Sequence, residues 1–286
     1  MQLFSATALL LGSALTTVSA TPIATAHKPF STPNAFIKPF GDETSNLTQL
    51  AARDIRGPLP VNALPIEHQF QPVLDFDGDG CYYTAAIDGN GDKNGGLSPA
   101  NGIPPNCLRA TCRDNNRLEN SNVYSRSRCN NGWCAIMYEY YFEKDQVICG
   151  SWGGGHRHDW ENIVVFVQDG QVKRVAPSCH GKYGGATNTP RLDGERAKVV
   201  YHKDSGQTHC FRMANEADDN VENYTGNWFL GALVGWTGWP STDIRDKAME
   251  KYGEGPKAKL SDGEFASNLR NAMGGQTGNF NPDVDG

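Results

Sequence analysis

The sequence predicts a mainly β protein, a central β-sandwich with flanking helices. Three observations carry that expectation. Two stretches, Trp133–Phe142 and Asn162–Val167, are dense in aromatic and β-branched residues, the composition of strands. The 286 residues include 32 glycines, and many short polar-apolar runs are separated by turn residues, as in a loop-rich β protein. Helix signals gather in the C-terminal third. Several short strands with turns between them favour a sandwich over a βαβ fold.

Taken in order, Met1–Ala20 reads as a secretory signal peptide. Leu3–Leu15 is its apolar segment and Val18-Ser19-Ala20 its small-residue cleavage site. Residues 21–57, rich in Thr, Ala, Pro, Asn and Ser without periodicity, read as a flexible leader. The folded domain is expected over 58–275 and a flexible tail over 276–286. No segment after the signal peptide has the length and apolarity of a membrane span, so the expectation is a soluble, secreted, extracellular protein.

Eight cysteines fit that compartment: Cys81, Cys107, Cys112, Cys129, Cys134, Cys149, Cys179 and Cys210. An even count behind a signal peptide predicts up to four disulfides, at least three of them formed. Cys179 with Cys210 would join two candidate strands. No Cys-x-x-Cys pair argues for a thiolate zinc cluster or a redox site. Asn46 and Asn223 open glycosylation sequons.

Asp75-Phe76-Asp77-Gly78-Asp79-Gly80 copies the start of an EF-hand loop, but Ala86 stands where the bidentate glutamate is required. That loop and the one at Asp88–Asn94 read as solvated turns, with calcium binding in an irregular loop as the alternative. Trp133–Phe142 is a strand with Cys134, Ile136, Tyr138, Tyr140 and Phe142 on one face. A turn is expected at Glu143–Gln146, followed by a loop from Val147 to Gly155. Further strands are expected at 171–175, 197–202 and 208–214. Helices are expected at 240–252 and at 265–273, the second opened by a capping box of Ser261 and Glu264.

The formal net charge of -6 and the lack of any Lys/Arg cluster exclude a nucleic-acid partner. Chemistry concentrates in Gly155-His156-Arg157-His158-Asp159-Trp160-Glu161. On a strand, Asp159 and Glu161 continue the core-facing row of Ile163, Val165 and Val167. Carboxylates in such a row need a partner, because an unpaired buried charge is very costly. Arg157 or a backbone amide could serve; so could a cation. His158 and Trp160 fall on the opposite face and read as structural or surface residues, with His158 a secondary ligand candidate. Carboxylates with an imidazole and no thiolate favour Mg2+, Ca2+ or Mn2+, with zinc requiring His202 or His209 as well. Asp159 and Glu161 could also form the acid/base pair of a secreted, metal-dependent glycan hydrolase. No serine nucleophile elbow or phosphate loop is present.

The heptapeptide Gly155–Glu161 is similar to the signature of the necrosis- and ethylene-inducing-like proteins. The likeness extends to Ala135–Tyr138, Tyr141-Phe142, Lys144-Asp145-Gln146, Cys81, Gly95-Gly96-Leu97, Cys112-Arg113-Asp114, Ser178–Gly181, Thr208-His209, Gly235-Trp236 and Phe265–Leu269. It spans roughly residues 60–273. It implies an actinoporin- or lectin-like sandwich without enzymatic activity, monomeric in solution. It implies a divalent cation held by Asp145, His156, Asp159 and Glu161, with Arg157 orienting the carboxylates and Gly155, His158 and Trp160 supporting the motif. It further implies a cytolysin that binds glycosylinositol phosphoceramide head groups of plant plasma membranes, causes necrosis and is sensed by plant pattern-recognition receptors. The resemblance pairs Cys81 with Cys112 by context or with Cys107 by spacing. Glu139, Tyr140 and Glu143 depart from the residues common at those places, and the Asp145–His156 loop is longer and carries Cys149. These departures leave a non-toxic member as an alternative.

Overall fold

The structure is a computed structural model that describes residues 55–99, 112–147, 154–206 and 208–285. Among these the elements are α1 (Pro65–Gln69), β1 (Val73–Phe76), α2 (Asn115–Glu119), β2 (Asn122–Asn130), β3 (Trp133–Gln146), β4 (Gly155–Gln168), β5 (Gln171–Pro177), β6 (Leu192–Asp193), β7 (Arg196–Lys203), β8 (His209–Met213), β9 (Ala232–Gly235), α3 (Thr242–Met249) and α4 (Asp262–Met273). One sheet has five strands in the order β5-β4-β3-β2-β9, and the other joins β1, β6 and β8 to β7. The predicted sandwich with flanking helices is what forms.

The central strands β3 and β4 are buried on both faces. Ile136, Tyr138, Tyr140, Phe142, Ile163 and Val165 pack between the sheets against Phe76, Val199, Tyr201 and Phe211. Met137, Tyr141, Trp160, Val164 and Phe166 form the outer face and share a second core with Ala248, Phe265 and Leu269 of the helices. A strand covered twice needs apolar residues at every position, which explains the unbroken run Ile163–Val167.

Four expectations are corrected. Glu143–Gln146 does not turn: β3 continues through it, with Lys144 opposite Arg157 and Asp145 opposite His156. Charged residues persist in this strand because Glu143 finds the equally buried Arg117 of α2. The capping box of α4 does not form. Ser261 is the N-cap but its side chain makes no capping bond, and Glu264 turns instead to Lys257 and Lys259. The C-terminal segment is docked rather than free. Phe280 packs edge-on against Phe166, and Asp283 and Asp285 pair with Arg270 and Arg128.

The fourth correction concerns Asn223. Its side chain is buried, and it spends both amide hydrogens on Asp75 Oδ1 (3.0 Å) and Asn227 O (2.9 Å). Its oxygen accepts from the backbone N–H and hydroxyl of Thr225. A glycan there would break a saturated buried network. Glycopeptide mapping of the secreted protein is expected to find Asn223 unmodified; an occupied Asn223 would show that this loop folds differently. Asn46 lies outside the described residues, as do the signal peptide and nearly all of the leader.

Three disulfides are present among the described residues: Cys81–Cys112, Cys129–Cys134 and Cys179–Cys210. Cys112 is thus the partner of Cys81, and Cys179–Cys210 ties β8 to the loop after β5. Cys107 and Cys149 lie outside the described residues. No described helix is long and apolar enough to cross a membrane.

Candidate metal centre

The β3–β4 pair delivers the site. Asp145 lies directly across from His156 in the ladder, and Asp159 across from Phe142. Strict alternation would put His156 and Asp159, three residues apart, on opposite faces. His158 between them has φ of 61°, a left-handed backbone inside a strand. That single residue shifts the alternation, and ligand atoms of Asp145, His156 and Asp159 come within 4.8 Å of one another. Asp159 and Glu161 keep the shared face expected from the sequence.

His158 is fixed to serve this bend. Its Nδ1 is 2.6 Å from the Tyr141 hydroxyl, and its ring meets Tyr252 edge-on. Burial, reinforced by the charge of Arg157, holds it neutral with a pKa lowered to about 4. A Cβ on Gly96 would lie 2.5 Å from its ring, so only glycine fits that loop position. Arg157 does not orient the carboxylates as expected. Its Nη1 donates to the carbonyls of Gly95 (3.0 Å) and Gly96 (3.4 Å), closing the loop over His158.

Gly155 is required where the two strands meet. Its φ is 123°, and a Cβ there would come within 2.5 Å of the Asp145 carbonyl oxygen. Backbone strain of this kind costs on the order of 1–3 kcal/mol before the clash is added. Gly155→Ala is expected to lower the denaturation midpoint accordingly and to loosen the ion site by displacing Asp145. An unchanged midpoint would mean that the chain passes this point differently.

Charge is crowded here. Asp145, Asp159 and Glu161 are buried. Burial, then the charges of Asp145 and Glu161, raises the Asp159 carboxyl well above the usual carboxylate range. Burial takes Glu161 to about 8, although the Ser178 hydroxyl donates to its Oε2. Asp159 Oδ2 has no hydrogen-bond partner. A buried carboxylate oxygen without a donor, beside two further carboxylates, is a strong destabilisation unless a cation meets it. An oxygen-rich set with one imidazole fits a hard divalent ion. Glu161 stands outside the tight group of three but lines the same cleft, a cavity of about 230 Å³.

His209 supports Asp145; the sequence offers it as a conditional zinc ligand and, in Thr208-His209, as part of the family likeness, but not as a brace. Its backbone N–H donates to Asp145 Oδ1 (2.9 Å), and its ring bridges Asp145 (3.2 Å) and Asp79 (3.4 Å). Burial works against its charge, but hydrogen bonds and charges from the two aspartates carry its pKa up to about 9. An imidazolium with both nitrogens engaged is a brace for Asp145 and leaves no lone pair for zinc. His202 lies beside Cys210, 3.8 Å from its sulfur. A second cluster, Cys179, His180, Asp204 and Cys210, resembles a metal site in composition. Its two sulfurs are joined to each other, which removes the thiolates a metal would use. The EF-hand-like segment serves the fold: Asp75 caps the amides of Glu222 and Asn223, and Asp77 pairs with Arg212.

Comparisons with known proteins converge on one family. The family model described as Necrosis inducing protein (NPP1) matches residues 65–272. The chain is 33% identical over 211 residues to NLP effector protein 10 of Phytophthora capsici, a match covering 71% of this chain and 80% of that protein. It superposes with a TM-score of 0.62 on NLPPya in complex with mannosamine, at 27% identity, covering 77% of this chain and 96% of that one. The non-toxic HaNLP3 protein superposes equally well, with a TM-score of 0.62, 26% identity and coverage of 77% and 97%.

Proposed function

This chain belongs to the necrosis-inducing protein family, and from that premise we propose that it is a secreted, non-enzymatic cytolysin that captures glycosylinositol phosphoceramide head groups of plant plasma membranes. Capture depends on a divalent cation, Mg2+ or Ca2+ with Mn2+ also fitting, held by Asp145, His156 and Asp159, with Glu161 completing the set. Membrane damage and necrosis follow from that contact, and plant receptors sense the stretch from Ala135 to Glu161. The observation that carries the reading is the unpartnered Asp159 Oδ2, buried among carboxylates at the edge of a cleft.

When bound, the ion supplies a Lewis-acidic contact for a sugar hydroxyl or phosphate oxygen. The chain's own residues do the remaining work. His209 fixes Asp145, the left-handed turn at His158 aligns His156 with Asp159, and Ser178 keeps the Glu161 carboxylate in place. The test is leakage of vesicles containing plant glycosylinositol phosphoceramide, with and without chelator. Leakage that chelator abolishes and calcium or magnesium restores supports the reading. Leakage indifferent to chelator removes the ion from the mechanism. Release of free sugar without leakage would instead establish a hydrolase, and neither activity would mark a non-toxic member.

A further inference from the structure

The two stretches that brace the candidate centre also carry a disulfide. Ser178, which donates to Glu161, precedes Cys179, and His209, which holds Asp145, precedes Cys210. Three further metal-binding groups surround that bridge. His180 Nε2 lies 3.2 Å from Asp204 Oδ2, Cys179 Sγ lies 3.8 Å from the same oxygen, and His202 Nε2 lies 3.8 Å from Cys210 Sγ. Head-group capture uses none of the three.

Ligand atoms of Cys179, His180, Asp204 and Cys210 all fall within 4.8 Å of one another. Zinc binds sulfur at about 2.3 Å and nitrogen or oxygen at about 2.0–2.2 Å, so its coordination tetrahedron has edges of about 3.4 Å (N to O), about 3.6 Å (S to O) and about 3.8 Å (S to S). The imidazole–carboxylate and sulfur–carboxylate edges here match to within a few tenths of an ångström. Only the two sulfurs must part.

The cage does not depend on the bridge. Cys179 and Lys182 exchange backbone hydrogen bonds of 2.7 and 3.0 Å around a turn in which His180 and Gly181 are left-handed, with φ of 51° and 72°. The Phe211 N–H donates to the Ser178 carbonyl (3.0 Å), and His202 faces Cys210 across the β7–β8 ladder. These backbone contacts keep the two cysteines adjacent once the S–S bond is broken. Cys179 is half-buried and His180 exposed, so a small thiol and an ion can reach this rim of the cleft.

We infer that the cluster is a redox-gated zinc site, formed by Cys179, His180, Asp204 and Cys210 when the bridge is reduced. Secretion closes the bridge. Where low-molecular-weight thiols are abundant, two of them open it: their hydrogens and two electrons pass to Cys179 and Cys210, and their own sulfurs join as an external disulfide. Zinc then displaces the two thiol protons and takes both thiolates, the His180 ring and the Asp204 carboxylate. His202, its pKa lowered by burial, is neutral and accepts the Cys210 proton. The ion replaces the lost crosslink and keeps Ser178 and His209 on Glu161 and Asp145.

Anaerobic cobalt titration tests this. The secreted protein, reduced with dithiothreitol under native conditions and desalted without oxygen, is expected to show a thiolate-to-cobalt charge-transfer band and the intense visible bands of a tetrahedral ion, both erased by equimolar zinc. The oxidised protein should show neither, whatever it binds at Asp145 and Asp159, because carboxylate and imidazole give no sulfur charge transfer. His180→Ala and Asp204→Asn retain the bridge, so their oxidised forms should fold as wild type; once reduced, each should bind cobalt at least about tenfold more weakly. Cys179→Ser/Cys210→Ser should lose the band. A reduced wild type without the band, an equal band in Cys179→Ser/Cys210→Ser, or an affinity unmoved by both single variants overturns the inference. So does a bridge that peptide mapping finds closed until the whole fold is lost.

Discussion

Replacing Arg117 with leucine is expected to remove about 3–5 kcal/mol of stability, a large share of the roughly 5–15 kcal/mol typical of a domain. Arg117 is fully buried on α2. Its Nε donates to Glu143 Oε2 at 2.5 Å and its Nη1 to Asp114 at 3.0 Å. Leucine would leave the Glu143 carboxylate in the interior of the sandwich without that cation. Lys144, also buried and with a pKa lowered to about 8 by burial and by the charge of Arg117, would be relieved of a like charge and return part of the loss. The informative comparison is Arg117→Leu/Glu143→Leu, in which neither charge remains. Chemical denaturation should place the double variant well above the single one, because the penalty lies in burying the Glu143 charge without Arg117 rather than in the missing pair. A single variant within about 1 kcal/mol of wild type would mean that water reaches Glu143 and that the pair does not hold this end of β3.

That pair also shows where sequence reading runs out. Glu143 and Lys144 look like turn residues because charge in an isolated strand has no evident partner, and the partner here lies 26 residues upstream on a short helix. The docked C-terminal segment was hidden for the same reason: nothing near Phe280 in the sequence indicates that its cover is Phe166. Local pattern did reveal β3, β4, β5, β7 and β8, both C-terminal helices, the Cys179–Cys210 link and the common face of Asp159 and Glu161, but not β1, β2, β6 or β9. Periodicity alone could not bring His156 onto that face. Its placement depends on the left-handed backbone at His158, which no alternation rule contains; the resemblance of the heptapeptide named His156 as a ligand without giving that conformation. Arg157 carried the opposite risk. A guanidinium beside two carboxylates invites an ion pair, yet the chain directs it to the carbonyls of a distant glycine loop.

The largest functional effect is expected from Asp159→Asn, and it has two opposite signs. Asparagine keeps the size of the side chain and removes one of three crowded buried charges. With chelator present, the variant should be at least as stable as wild type, since the ionised Asp159 is opposed by burial and by Asp145 and Glu161. With calcium or magnesium at about 100 times its dissociation constant, wild type should gain on the order of 2.7 kcal/mol, and the variant should gain little. The thermal midpoints of the two proteins should therefore cross as the ion is added. Vesicle leakage should follow the ion and vanish in the variant. His158→Gln should lose less, because its ring shapes the strand without meeting the cleft. Crossing midpoints with full leakage by Asp159→Asn would make the ion a structural element only. Parallel midpoints in both conditions would remove the cation from this site altogether and leave the unpartnered Asp159 oxygen to be satisfied by water.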